Sequence, residues 1–387
     1  MKIESVDAFY LRLPKVSDIG DGSQDALLIR VRAGGFTGWG ECEASPLPTI
    51  AALVAPMSHS ACKPVLASVL GAEISGPDDI RALHRRVKEN SLDLLQTDHA
   101  LSGIDIAFWD LLGKREKAPV WSFFGSANHP RIGYASSLFG ASPAETFERA
   151  SSLGPFRAAK FGWGPIGRGS AEEDRLQIEA ARSGLGPDKH LLIDTGCVFG
   201  HDVERALQLA PALEKFRVGW WEEPFATGAL REYRALSESC NVPLAGGEGC
   251  HSADQARHYL DHAGVSFLQI DAGRVGGITA SREVAEAVRG TGVQFVNHTF
   301  TSPLALSASL QPYADDPSSR FAEVPVHPSS LAAAIGSPLS VEKDGFVRAP
   351  EDPGLGMEID LDHLRPYLQD VRIEWEGRVL WETVNLE

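Results

Sequence analysis

Short apolar runs alternate with amphipathic stretches through most of the chain after residue 131. The runs are rich in β-branched and aromatic residues, which favour strands, and the stretches between them carry helix signals. The predicted strands are 132–135, 158–161, 191–194, 218–222, 242–246, 267–271, 294–298 and 321–324. Alternating strands and helices indicate a parallel sheet with right-handed crossovers. Eight repeats favour a closed (β/α)8 barrel of the α/β class over an open sheet.

The chain before residue 126 has a different pattern, with predicted strands at 3–13 and 26–31 and a helix at about 101–114. A further strand is predicted at 371–375, in a tail expected to fold back onto the first region. We therefore predict an α+β domain at 1–125, joined by 340–387, and a barrel domain at 126–339. The length of 387 residues suits one large and one smaller domain.

The composition and charge of the chain exclude several classes of protein. A formal charge of −16 argues against a nucleic-acid partner, because phosphate binding needs clustered Lys and Arg. No apolar run is long enough to span a bilayer, and the start of the chain does not resemble a signal peptide. Five scattered cysteines without a C-x-x-C pair fit a reduced protein. We expect a cytoplasmic protein without a membrane partner.

Polar residues stand at or just after the ends of seven predicted strands. In chain order they are Lys160, Asp194, Glu222, Glu248, Asp271, His298 and Glu323. In a barrel all the carboxyl ends of the strands open onto one face, so these side chains would converge there. A series of seven in order predicts a functional site.

Asp194, Glu222 and Glu248 follow three consecutive strands. Ionised carboxylates about 4 Å apart repel by about 4 kcal/mol at an effective dielectric constant of 20. Protons or a cation must relieve that repulsion, and a set of oxygen ligands favours Mg²⁺. Any one of these acids alone is more often a helix cap. Three on consecutive strands favour a metal site.

His298 is predicted to act as a general base, because Asp271 on the neighbouring strand could fix its tautomer and raise its basicity. Lys160 could pair with a substrate carboxylate, although most lysines only extend their charge towards solvent. Glu323, if protonated, could donate a hydrogen bond to a developing oxyanion. Each of these residues alone is more often structural.

A competing motif, G-x-G-x-x-G at 162–167, follows a predicted strand and suggests dinucleotide binding. The predicted capping box Ser170-Ala171-Glu172-Glu173 delays the helix beyond the last glycine of the motif. Asp194, the next strand-end acid, also lies beyond the spacing that the motif requires. The segment is therefore interpreted as a loop that shapes the site, and a nicotinamide-dependent dehydrogenase stays an alternative.

The chain resembles the enolase superfamily, specifically its mandelate racemase subgroup, over nearly its whole length. The segments that carry the likeness are 100–110, 221–224, 247–249 and 271–277. The resemblance implies a modified barrel with an α+β capping domain, Mg²⁺ on Asp194, Glu222 and Glu248, and a His298–Asp271 dyad with Glu323 on the eighth strand. It also implies a multimer, and loops near 18–23 and 46–55 that close over a small carboxylate substrate. A lysine would replace Asp271 in the muconate-lactonizing subgroup, which is disfavoured.

One departure from the family pattern bears on the reaction. The second strand often reads Lys-x-Lys, but here it reads Lys160-Phe161-Gly162, so the second base is missing. A racemase needs a base on each face of the α-carbon, whereas a dehydratase can act with one. The prediction is a Mg²⁺-dependent dehydratase of an aldonic or aldaric acid. A racemase or epimerase and a non-catalytic acid-binding barrel stay alternatives.

Loop residues complete the predicted site. The substrate-contacting candidates are Ser17, Asp18, Trp163, His201, His251 and Arg274. His201 and His251 are also candidates, with His298 and Lys160, for the acid that protonates the leaving hydroxyl.

Overall fold

The computed structural model describes residues 1–95, 97–337 and 339–384. The first domain begins with an antiparallel three-stranded sheet, β1 (Ile3–Arg12), β2 (Asp25–Ala33) and β3 (Phe36–Cys42). Four helices follow: α1 (Pro46–Val54), α2 (Val65–Val69), α3 (Pro77–Asn90) and α4 (Thr97–Glu116). Strands β1 and β2 and helix α4 were predicted, with slightly different ends.

Strand β3 was not predicted, and its glycines explain why. Gly38 and Gly40 lower the strand propensity of the segment. A Cβ at Gly38 would lie 2.0 Å from the Ala107 oxygen, and one at Gly40 would lie 2.0 Å from the Gly103 oxygen. The glycines therefore allow the backbone of α4 to lie directly on the sheet, a tertiary requirement that local propensity cannot show.

The second domain is the predicted parallel barrel. Its strands are β4 (Arg131–Leu138), β5 (Ala158–Gly162), β6 (His190–Asp194), β7 (Val218–Glu222), β8 (Leu244–Gly246), β9 (Phe267–Asp271), β10 (Gln294–His298) and β11 (Phe321–Pro325). They pair in the order β10-β9-β8-β7-β6-β5-β4-β11. Strand β8 begins two residues later than predicted, after Pro243, which has no N–H for a sheet hydrogen bond.

Asn297 completes the barrel between β10 and β11, where the strand pairing is interrupted. Its Nδ2 donates to the Glu323 carbonyl at 3.2 Å, and its Oδ1 accepts from the Glu323 N–H at 2.9 Å. A side chain thus replaces part of the backbone ladder at this seam. The barrel interior is filled by large side chains that include Tyr134, Trp220 and Phe267.

Helices surround the barrel, and the apolar faces of the first eight pack on its outer surface, whereas Leu331 and Ile335 of the ninth join the core of the first domain. They are α5 (Pro143–Ser151), α6 (Ala171–Leu185), α7 (Val203–Leu207), α8 (Ala210–Lys215), α9 (Leu230–Ser239), α10 (Ala253–His258), α11 (Gly277–Val288), α12 (Pro303–Leu310) and α13 (Ser330–Ile335). The predicted capping box at the start of α6 is confirmed, with Ser170 Oγ accepting from the Glu173 N–H. No helix in the described ranges is long and apolar enough to cross a membrane.

The tail after residue 340 contacts both domains. Strand β12 (Phe346–Val347) pairs with β4 of the barrel. Helix α14 (Leu361–Leu364) and the hairpin of β13 (Arg372–Trp375) and β14 (Arg378–Glu382) lie against the first domain, where Leu364 and Trp381 join its core. The Gln369 N–H donates to the Tyr10 carbonyl at 2.8 Å.

Candidate active site

The carboxyl ends of the barrel strands surround a pocket of about 260 Å³ beneath the first domain. It is lined by six residues of the sequence-predicted set: Lys160, Trp163, Asp194, Glu248, Arg274 and His298. Glu222, Asp271 and Glu323 are buried directly against these residues. The structure therefore brings together all seven strand-end side chains that the sequence singled out.

His298 forms a dyad with Asp271. Its Nδ1 lies 2.8 Å from Asp271 Oδ2, while Asp271 Oδ1 accepts from the Gly273 N–H at 2.7 Å. Asp271 therefore favours the tautomer with the proton on Nδ1, which leaves Nε2 as the proton acceptor. Burial alone would lower the pKa of His298, but Glu248, Glu323 and Asp271 raise it to about 10. An imidazole with this pKa holds protons on both ring nitrogens at neutral pH, and its Nε2 lies 3.4 Å from Glu248 Oε1. Nε2 therefore becomes a proton acceptor when the negative charge of Glu248 is neutralised, as a bound cation would do.

Lys160 is buried between two carboxylates. Its Nζ lies 2.5 Å from Glu222 Oε1 and 2.8 Å from Glu323 Oε1. Although burial opposes the charged form, these carboxylates hold the Lys160 pKa well above its ordinary value. Lys160 is thus a fixed positive charge near the pocket floor rather than a base.

The three predicted metal ligands carry an excess of negative charge in a buried place. Burial, together with Glu248, raises the pKa of Asp194 to about 6, even though Lys160 opposes this shift. Glu248 Oε2 is buried and has no hydrogen-bond partner in the part of the chain that the structure describes. Glu222 is instead held by Lys160 and by Trp220, whose Nε1 donates to Oε2 at 3.0 Å.

This donor set fits a hard divalent cation in chemistry and location, because all three ligands are carboxylates and one oxygen is unsatisfied. The three carboxylates are not arranged around a common point. No group of three His, Cys, Asp or Glu side chains placed to hold a metal ion is found in 1–95, 97–337 and 339–384. Cation binding would compete with Lys160 for Glu222.

Gly162 occupies the position at which the family pattern often has a second lysine. A Cβ at this residue would lie 2.7 Å from Asp194 Oδ2 and 3.1 Å from Asp194 Cβ. Any side chain at 162 would therefore displace a candidate metal ligand. Strand β5 is separated from β10, which carries His298, by β11 and β4 on one side and by four strands on the other.

Several predicted substrate contacts lie elsewhere. His201 is exposed and its Nδ1 lies 3.1 Å from Glu232 Oε1, outside the pocket. His251 is also exposed and does not line the pocket. Ser17 hydrogen-bonds with Gln24, and Asp18 is exposed; the pocket is lined instead by the next residues, Ile19–Gly22.

Glu43 and Phe300 line the pocket but were not predicted. Glu43 follows β3, which was itself missed, and accepts from Arg274 Nε at 2.9 Å and Nη2 at 2.5 Å. Arg274 also donates to the Glu248 carbonyl at 3.0 Å, so it links the first domain to the predicted metal ligands. Phe300 stands two residues after His298, a proximity that could have identified it.

The glycine motif at 162–167 forms a loop between β5 and α6. Helix α6 begins only at Ala171, so no motif glycine opens the helix, as a dinucleotide site requires. Trp163 in this loop has a φ of 58° and packs against Gly20 of the first domain. The geometry gives no support to nicotinamide binding here.

The protein combines a parallel barrel, a capping domain and functional side chains at the strand ends. Comparison with known families identifies the class of protein that has this combination. The chain belongs to the mandelate racemase / muconate lactonizing enzyme family of the enolase superfamily: residues 10–125 match its N-terminal domain and 143–363 match the enolase C-terminal domain-like model.

Similar proteins include sugar-acid enzymes and a predicted mandelate racemase. The chain is 29% identical over 346 residues to D-galactarolactone cycloisomerase from Agrobacterium fabrum. This match covers 86% of the chain and 88% of the relative. It is 28% identical over 278 residues to D-galactonate dehydratase from Variovorax paradoxus, covering 68% and 72%. A crystal structure of a predicted mandelate racemase from Rhodobacter sphaeroides superposes with a TM-score of 0.95 at 50% identity, covering 99% and 100%.

Proposed function

We propose that the protein is a Mg²⁺-dependent dehydratase of a sugar acid, which removes the α-proton with one base and eliminates the β-hydroxyl. The observation that carries this proposal is the asymmetry of the site. His298 is a buried base oriented by Asp271, whereas Gly162 has no side chain and so supplies no second base. Elimination needs one base, but racemisation through proton transfer needs an acceptor on one face and a donor on the other.

Each residue has a defined role in this proposal. The ammonium group of Lys160 attracts the substrate carboxylate, and His298 Nε2 takes the α-proton. Asp271 stabilises the resulting imidazolium. Asp194, Glu222 and Glu248 would hold Mg²⁺, which when bound stabilises negative charge developing on the substrate carboxylate.

His298 also delivers the leaving-group proton in this proposal. His201 and His251 do not line the pocket, and carboxylates hold Lys160 in its charged form. The imidazolium formed in the first step is therefore the acid that remains. It protonates the β-oxygen as the C–O bond breaks, water leaves, and the enol product tautomerises to a 2-keto-3-deoxy acid.

A cycloisomerase is the second candidate, favoured by the extensive match to the galactarolactone enzyme. If the β-oxygen belongs to a ring, the same elimination opens the ring and releases no water. The residues required are the same, so the two reactions differ only in the substrate.

Proton NMR in D₂O with Mg²⁺ tests the proposal on a panel of aldonates, aldarates and their lactones. We expect loss of the α-proton signal and a monodeuterated C3 methylene in the product. His298→Asn should lower the rate by about 10²- to 10⁴-fold, the usual contribution of a general base. Near-normal turnover by this variant, or turnover unaffected by chelation of divalent cations, would refute the mechanism.

A further inference from the structure

A second cavity of about 650 Å³ adjoins the candidate active site. It shares four lining residues with the catalytic pocket: Asp21, Ser137, Leu138 and Phe300. The catalytic pocket, at about 260 Å³, lies below the range of roughly 300 to 1,000 Å³ that is usual for ligand sites, whereas the adjoining cavity lies within it. Together they offer room for a ligand longer than the acid that reacts at His298.

The lining of this cavity mixes flat apolar surfaces with a few polar groups. Its apolar part is formed by Leu138, Phe300, Pro303, Leu306, Pro325, Val326 and Pro328. The polar groups include Asp21, Arg149 and Ser152. A sugar ring combines apolar C–H faces with hydroxyl edges, so its surface matches this lining better than an alkyl chain or a second carboxylate does.

Arg149 supplies the most specific feature. Its Nη1 donates to the carbonyls of Leu138 at 2.9 Å and Phe139 at 3.2 Å, which fixes the half-buried guanidinium at the end of β4. Its Nε and Nη2 make no hydrogen bond or ion pair within the described ranges, so three of its five N–H groups remain for a ligand. A guanidinium fork binds anions most strongly, but the carboxylates of Asp21 and Glu148 line the same cavity, so the site favours hydroxyl and ether oxygens over a second anion.

We propose that this cavity binds a glycosyl substituent on the far end of the substrate, so that the substrate is a glycosylated aldonic acid rather than a free one. The inference rests on the proposed function for the reacting end only. The acid group of the substrate lies at Lys160 and His298. The ring of the glycosyl substituent lies between Phe300 and the segment 325–328, with its oxygens at Arg149.

Binding tests the proposal independently of turnover. Calorimetric titration measures the affinities of three acids with Mg²⁺ present. They are cellobionate, which is a 4-O-glycosyl gluconate, gluconate itself, and 6-phenylhexanoate. We expect the wild type to bind cellobionate at least tenfold more tightly than either other acid. Arg149→Met and the cavity-filling Val326→Trp should each reduce the preference over gluconate at least tenfold.

Arg217→Met is the matched control, because Arg217 is exposed, donates to the Pro187 carbonyl and lines neither cavity. It should keep the wild-type preference. Equal binding of cellobionate and gluconate, tighter binding of 6-phenylhexanoate, or an unchanged preference in both cavity variants would overturn the proposal. Should no acid lose its α-proton while the cellobionate preference holds, the proposed reaction fails but the cavity assignment stands.

Discussion

Individual residues in the site act through their charge and the space around them. Four buried carboxylates and the half-buried Glu248 surround two cationic side chains, Lys160 and His298; the buried four are Asp194, Glu222, Asp271 and Glu323. Negative charge is therefore in excess at this site. Because burying an unpaired carboxylate is costly, the excess negative charge favours the uptake of a cation or of protons. The high pKa of His298 is a direct consequence of the same excess.

Gly162→Ala tests the link between the missing base and the metal site. Because the new Cβ would meet Asp194 Oδ2 at 2.7 Å, the carboxylate must move. We expect Mg²⁺ affinity, measured by calorimetry, to fall at least roughly tenfold, since geometry controls Mg²⁺ binding strictly. Gly228→Ala, where a Cβ meets nothing within 4 Å, is the control and should bind as the wild type does. Unchanged affinity in Gly162→Ala would contradict the predicted link between the space at residue 162 and the metal site.

At the scale of elements, buried polar contacts attach the first domain to the barrel. Asp105 on α4 accepts from the Thr279 N–H at 2.9 Å and from its hydroxyl at 2.5 Å, at the start of α11. Glu41 on β3 accepts from Ser302 Oγ, just after the loop that carries Phe300. These contacts hold β3 and α4 over the barrel mouth.

The Glu41 contact predicts a pH dependence of stability. Burial raises the Glu41 pKa from 4.5 to about 7, although Ser302 and Thr301 oppose the shift. The unfolded chain loses this proton first, so the group's contribution to stability falls as pH rises from about 4.5 to 7, by about 3 kcal/mol. Glu41→Gln keeps the hydrogen bond without the ionisation, so its stability relative to the wild type should rise by a similar amount over that window.

Denaturant unfolding at several pH values measures this difference. Glu238→Gln, which replaces an exposed acid on α9, serves as the control and should show a constant difference from the wild type. A difference for Glu41→Gln that is equally independent of pH would mean that Glu41 ionises normally in the folded protein.

At the scale of the whole molecule, the sequence predicted the barrel and its strand-end residues because both follow from periodicity. Strand and helix alternate, and parallel strands place Lys160 through Glu323 at one face. The positions of loop side chains depend on tertiary packing, so His201 and His251 were expected at a pocket that they do not line. Likewise, the contacts of Glu43 with Arg274 and of Lys160 with Glu222 join residues that are distant in sequence. Only the folded chain shows these contacts.

In the proposed reaction one base, His298, serves one face of the α-carbon. The most direct measurement is the configuration at C2 of substrate recovered from D₂O at partial conversion, determined by NMR after a turned-over acid is identified. We predict that any deuterium at C2 is found only with the original configuration, because His298 alone exchanges the proton. Deuterated C2 epimer in the recovered substrate would contradict this mechanism, because it requires a second proton carrier where Gly162 supplies none.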